Sequence, residues 1–120
     1  MKTLPSISSK RLSAPAALKT RASIFAALGD ETRLSVLARL ANGQPQSISR
    51  LTAGTDLTRQ AVTKHLRVLQ GVGAVRCLRV GRESQFELEP KPIDEARKYL
   101  ELVSRQWDDA LARLKSFVEV

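Results

Sequence analysis

The run from Ile93 onward constrains the fold most: Ile93, Ala96, Leu100, Val103, Trp107, Ala110, Leu111, Leu114 and Phe117 or Val118 keep a three-four spacing. Held for about seven turns, that rhythm puts the apolar side chains on one stripe of a single long helix. No other stretch of the 120 residues matches it in length, so a monomer leaves the stripe as a large apolar patch. A second copy of the chain, related by a two-fold axis, covers it. The expected interface is Leu18 and Phe25 of a first helix with Ile93, Leu100, Val103, Trp107, Leu111 and Leu114 of the last. Trp107 is its expected anchor; the competing reading makes it an intrachain core residue.

Ahead of that helix the chain reads as a series of short elements. Residues 1–14 are Ser-rich, basic and poor in large apolar side chains, the composition of a disordered basic arm. Residues 15–120 read as one domain. A first helix begins near Pro15 and stops at Gly29. Asp30 caps a second, with Leu34, Leu37, Leu40 and Ala41 on one face, ended by Asn42-Gly43. Ser47 caps a short third helix carrying Ile48 and Leu51, with Gly54 inside it and Asp56 in the turn that follows. Thr58 caps a fourth, with Ala61, Val62, Leu66 and Leu69 inward and Gly71 closing it. Alternation over Val75 to Val80 and Ser84 to Leu88, around Gly81-Arg82-Glu83, predicts a β-hairpin. The fold class is therefore mostly α with a small hairpin, in the order of a winged helix-turn-helix.

Charge is distributed along this series unevenly. The total is +8, but residues 50–82 hold seven Lys or Arg against Asp56 alone, and residues 83–120 hold nine acids against six bases. The positive field sits on the helix after the turn and on the hairpin, where a polyanion docks. With Val62, Leu66 and Leu69 inward, a step of about 100° per residue turns Gln60, Thr63, Lys64 and Arg67 outward, and Arg59 lies in the first turn. Arg and Lys match guanine, Gln matches adenine, and Thr meets a base edge or a phosphate. Arg82 at the hairpin tip, and Arg79 after it, suit the minor groove or a phosphate. The bland alternative is a solvated helix face and an ordinary turn.

In four segments the sequence resembles the ArsR/SmtB family of bacterial repressors: Leu28-Gly-Asp-Glu-Thr-Arg-Leu34, Leu57-Thr-Arg-Gln-Ala-Val-Thr-Lys-His-Leu-Arg-Val-Leu69, Gly73-Ala-Val75 and Gly81-Arg82. The resemblance covers about residues 17–118. It implies a dimeric winged-helix protein, joined through its first and last helices, that sits on an inverted-repeat operator and is released by a signal. At matching positions it puts Arg59, Gln60, Thr63 and His65 at or near the DNA; Thr58 joins them as the cap. Helical phase alone puts His65 about 60° from the buried centre, the position of a half-buried packing residue.

The sequence departs from the family's metal sensors. Residues 47–56 contain no Cys and residues 92–120 no His, so Cys77 and His65 are the only soft ligands in the chain. One protomer cannot build a tetrahedral site from them, and the expectation is a regulator of the non-metal-sensing type, without cofactor. Asp94, Glu95, Asp108 and Asp109 read as a solvated helix face. Cys77 lies between Arg76 and Arg79, which favours a reactive thiolate and a redox-sensing repressor; in an alternating strand beside Val75 it also reads as a small buried hydrophobe.

Other functions fit less well. A lone His without nucleophile or phosphate loop is not an enzyme's constellation. A protein-interaction module on the long helix explains the stripe and leaves the basic cluster unexplained. The few aromatics do not suit RNA stacking. No secretory or membrane-spanning segment is present, so the expected protein is cytoplasmic, with double-stranded DNA and itself as partners and an inducer that no motif names.

Overall fold

The computed structural model describes residues 15–119; the arm expected at 1–14 lies outside the described residues. Five helices and three strands follow in the order α1 (Pro15–Leu28), α2 (Glu31–Leu40), β1 (Gln46–Ser47), α3 (Ile48–Thr52), α4 (Arg59–Gly71), β2 (Val75–Val80), β3 (Glu83–Leu88) and α5 (Pro90–Glu119). The three strands form one antiparallel sheet in the order β1-β3-β2. β1 was not anticipated, because two residues, Gln46 opposite Phe86 and Ser47 opposite Gln85, carry no periodic signal. The fold is a mostly helical winged helix-turn-helix, as expected.

Local chemistry explains where the elements begin and end. Asp30 has extended backbone, and its carboxylate accepts the Arg33 N–H at 3.0 Å, starting α2. Ser47 starts α3 in the same way by accepting from Arg50. α3 stops at Thr52, so Gly54 lies in the turn rather than in the helix, and its φ of 77° gives that turn a left-handed step. α4 runs through Gly71, and it is Gly73, with φ 76°, that closes it. There the Gly73 N–H donates to Gln70 O at 3.0 Å and the Ala74 N–H to Leu69 O at 2.9 Å, a paired C-terminal cap.

The core lies between α2, α3, α4 and the sheet. Leu40, Leu51, Val62, Leu66, Leu69 and Val75 are its fully buried side chains. On α2 the inward face is Val36, Leu37 and Leu40; Leu34 and Ala41, assigned to that face from the sequence, are exposed. The inward residues face α4 and β3, which pack on α2, whereas Leu34 is 51% exposed. Two arginines of α2 close the carbonyl ends of other helices. Arg33 Nε donates to Ala27 O at 2.6 Å at the end of α1, and Arg39 donates to Arg50, Leu51 and Ala53 carbonyls within 3.2 Å at the end of α3.

α5 begins at Pro90, three residues before the expected Ile93. Proline is tolerated in a first helical turn, where the N–H has no acceptor in any case. The Glu89 N–H donates to Ala74 O at 2.8 Å and fixes the entry. Ile93, in the first turns, is half-buried against the intrachain core, and Ala96 is buried. Ile93 therefore leaves the expected dimer face. Phe25 is also engaged within the chain, its ring centroid 6.0 Å from that of Tyr99, with the Arg21 guanidinium 5.1 Å from the Tyr99 centroid. From Leu100 outward the stripe is only partly covered by the described residues: Val103 is half-buried, while Leu100, Trp107, Leu111 and Leu114 are 53%, 64%, 57% and 57% exposed. Trp107 is thus not an intrachain core residue.

Candidate nucleic-acid interface

α4 is held by its inner face and offers its outer one. Val62, Leu66 and Leu69 are fully buried, while Gln60, Lys64 and Arg67 are exposed. Thr58, the N-cap, accepts the Ala61 N–H at 3.0 Å, so its hydroxyl is engaged in starting the helix. Thr63 is half-buried and donates its hydroxyl to Arg59 O at 2.8 Å. Arg59, Gln60, Thr63, Lys64 and Arg67 together line a shallow groove of about 320 Å³ along the outer face.

A second concavity, of about 490 Å³, lies where the start of α3, the first turn of α4 and the hairpin tip converge. It is lined by Ser47, Ile48, Ser49 and Arg59 together with Arg82, Glu83 and Ser84 of the hairpin. The hairpin turn is shorter than expected: Val80 pairs with Glu83, leaving only Gly81 and Arg82 between the strands. Gly81 takes φ 63°, a conformation that favours glycine, and Arg82 is left exposed at the tip. Arg79 is exposed on β2 opposite Ser84.

His65 lies off this surface. It is half-buried on the inner edge of α4, with Nδ1 3.8 Å from Asp30 Oδ2 and 3.4 Å from an Arg33 nitrogen. Helical phase located it correctly as a half-buried packing residue. The Asp30 carboxyl titrates below the ordinary carboxylate value, chiefly because it accepts the Arg33 backbone N–H, with the charges of Arg33 and His65 adding to the effect.

Cys77 is exposed, not buried as a small hydrophobe. It stands opposite Phe86, but β2 is an edge strand and core cover ends after Val75, so alternation there does not translate into burial. Its neighbour Arg76 is paired across the hairpin with Glu87 at 2.5 Å. Among the described residues, no three His, Cys, Asp or Glu side chains are grouped to hold a metal ion. No helix among them is long and apolar enough to cross a membrane.

Ser49 and Arg39 are the residues that sequence reasoning missed. Ser49 accepts a hydrogen bond from the Arg59 guanidinium at 2.7 Å, and Arg39 holds α3 to α2. A polar residue on a short helix and a basic residue in a last helical turn give no periodic signal of either role.

A buried three-helix core that carries an exposed basic helix beside a basic β-hairpin defines a winged helix-turn-helix DNA-binding protein. A family model described as a helix-turn-helix domain matches residues 28–77, from the end of α1 into β2. An ArsR-like transcriptional regulator from Rhodococcus sp. RHA1 is 37% identical and superposes with a TM-score of 0.74 over 85% of this chain and 95% of that one. The HTH-type transcriptional regulator Rv2034 of Mycobacterium tuberculosis is 30% identical over 78% of this chain and 83% of its own length. The HTH-type transcriptional regulator YuzN of Bacillus subtilis is 34% identical over 58% of this chain and 83% of its own. The chain belongs to the ArsR family of helix-turn-helix transcriptional regulators, a family of DNA-binding proteins and not of enzymes.

Proposed function

We propose that the chain is a cytoplasmic, homodimeric repressor that occupies an inverted-repeat operator in duplex DNA without a regulatory metal or other cofactor. In this reading residues 15–120 serve as one DNA-binding and dimerisation unit. Gln60, Thr63, Lys64 and Arg67 meet the major groove, and Arg79 and Arg82 meet the adjoining backbone or minor groove. Thr58 starts the recognition helix, and His65 supports it from behind. The observation that carries the reading is the exposed basic face of α4, continuous with a cleft that reaches the wing tip.

Support for the dimer comes from the exposed stripe on α5. Leu100, Val103, Trp107, Leu111 and Leu114, with Leu18 of α1, pack on their symmetry mates across a two-fold axis. The same axis sets two α4 helices about 34–36 Å apart, or a multiple of it, matching two half-sites. Support for a metal-free mechanism comes from the ligand set, since Cys77 and His65 are the only thiol and imidazole in the sequence.

A mobility-shift titration with the DNA upstream of the protein's own gene tests the reading. Lys64→Ala weakens binding by about 1–3 kcal/mol if it reads a base. Wild-type affinity in that variant removes α4 as the recognition helix.

A further inference from the structure

Arg59 differs from the other exposed residues of α4 in having a partner on another helix. Its guanidinium donates to Ser49 Oγ of α3 at 2.7 Å, which draws it toward the cleft between α3 and the wing. Arg82 lines that cleft, and the hydroxyl residues Ser49 and Ser84 line it as well. Glu83 shares the rim and accepts a hydrogen bond from Gln85 of its own strand at 2.9 Å. Two guanidinium groups, one from the first turn of α4 and one from the hairpin tip, line the cleft against one carboxylate and leave it cationic.

We infer that Arg59, oriented by Ser49 and joined by Arg82, clamps a backbone phosphodiester of the bound duplex and reads no base. The inference rests on the DNA-binding reading above and assigns a site within it. A guanidinium pairs with phosphate oxygens through parallel N–H groups, and the tether to Ser49 leaves other N–H groups of Arg59 free for that purpose. Bases in the major groove are reached by the outward row of Gln60, Lys64 and Arg67. The cleft lies beside that row, where a strand backbone passes between recognition helix and wing. Ser49 is a positioning residue: it holds the side chain in the phosphate-binding rotamer before DNA arrives, so less ordering is required on binding. Glu83 on the rim weakens the clamp by repelling the same phosphate.

Phosphate contacts and base contacts leave different signatures. The test uses the full chain and a pool of randomised duplexes of about four helical turns, with two readouts: the base preferences recovered by selection and the salt dependence of binding to the unselected pool. Arg59→Gln and Arg82→Gln are expected to bind every duplex roughly tenfold more weakly and to recover the wild-type preferences. The slope of log affinity against log salt falls by about 0.9 for each lost contact. Ser49→Ala weakens binding about threefold with the preferences again unchanged; Ser49→Thr, which keeps the hydroxyl, restores it. Glu83→Gln strengthens binding to all duplexes alike.

A changed preference at one base position in Arg59→Gln, with the salt slope unaltered, overturns the assignment. So does strict additivity of Ser49→Ala and Arg59→Gln in the double variant, because a positioning residue has no effect once its target is gone. Wild-type protein that retains no duplex at any salt concentration contradicts the DNA-binding reading itself, an outcome distinct from both. These side chains are exposed, and circular dichroism checks that each variant keeps its helices.

Discussion

The body of the molecule, from α2 to β3, and the outer half of α5 both carry apolar residues at helical spacing, and their surroundings differ completely. On α4, Val62, Leu66 and Leu69 are 0% exposed, whereas on α5, Trp107, Leu111 and Leu114 are between 57% and 64% exposed. The body closes a core on itself because its helices are short, cross one another and are roofed by the sheet. The outer half of α5 is left largely exposed by the other described elements. A stripe of apolar side chains therefore specifies a helix and a face, and the partner is a separate matter. In the body the partner is the chain itself; on α5 we propose that it is a second copy.

The largest expected effect lies in the body. Leu66→Ala removes a fully buried side chain from the centre of the core and lowers stability by about 2–5 kcal/mol, read by denaturant unfolding. The contrast between the two regions fails if this variant unfolds at the wild-type midpoint.

Trp107→Ala leaves the intrachain core intact and acts on association. We expect the dimer to weaken by about 2 kcal/mol or more while circular dichroism remains that of a folded protein. DNA binding falls with it, although no DNA-facing residue has changed. Analytical ultracentrifugation at micromolar concentration gives the measurement: wild-type protein that sediments as a monomer while still binding DNA sinks the dimer. Loss of the fold in Trp107→Ala at any concentration shows instead that α5 belongs to the body.

A smaller effect separates the two regions by their carboxylates. Asp30 titrates low chiefly because of a backbone N–H of α2, whereas Asp94 on α5 titrates low because it is hydrogen-bonded first by Arg97 and then by Lys98. In both, the folded value lies below the unfolded value of about 3.9, so each contributes stability above that pH. The contribution disappears as pH falls through the folded value. The difference between wild type and Asp30→Asn, or Asp94→Asn, accordingly closes in acid. Added salt should reduce the Asp94 difference more than the Asp30 one, because flexible exposed cations are screened while the backbone N–H is carried by the fold. Equal salt sensitivity in thermal unfolding would show that both acids act simply as surface charges.

Much of the candidate surface was legible because α4 is an amphipathic helix with a marked start. Thr58 supplies the cap, and three buried aliphatics fix the phase, so the outward direction of Gln60, Lys64 and Arg67 follows from 3.6-residue geometry. Phase likewise located His65 beneath the surface. It failed at Cys77 and Leu34, since a period tells which side a residue faces and not where the neighbouring element stops. The position of Gly54 was missed for a related reason: a short helix lacks enough turns to show its own end.

Helix starts, helical faces, the hairpin and the basic character of the middle of the chain are written in local spacing and side-chain chemistry. Packing alone brings Ile93 against the core, joins a third strand of two residues to the wing and lets Ser49 meet Arg59. These contacts join residues far apart in sequence or depend on where a neighbouring element ends, and no period along the chain encodes the distance between two elements once they have packed.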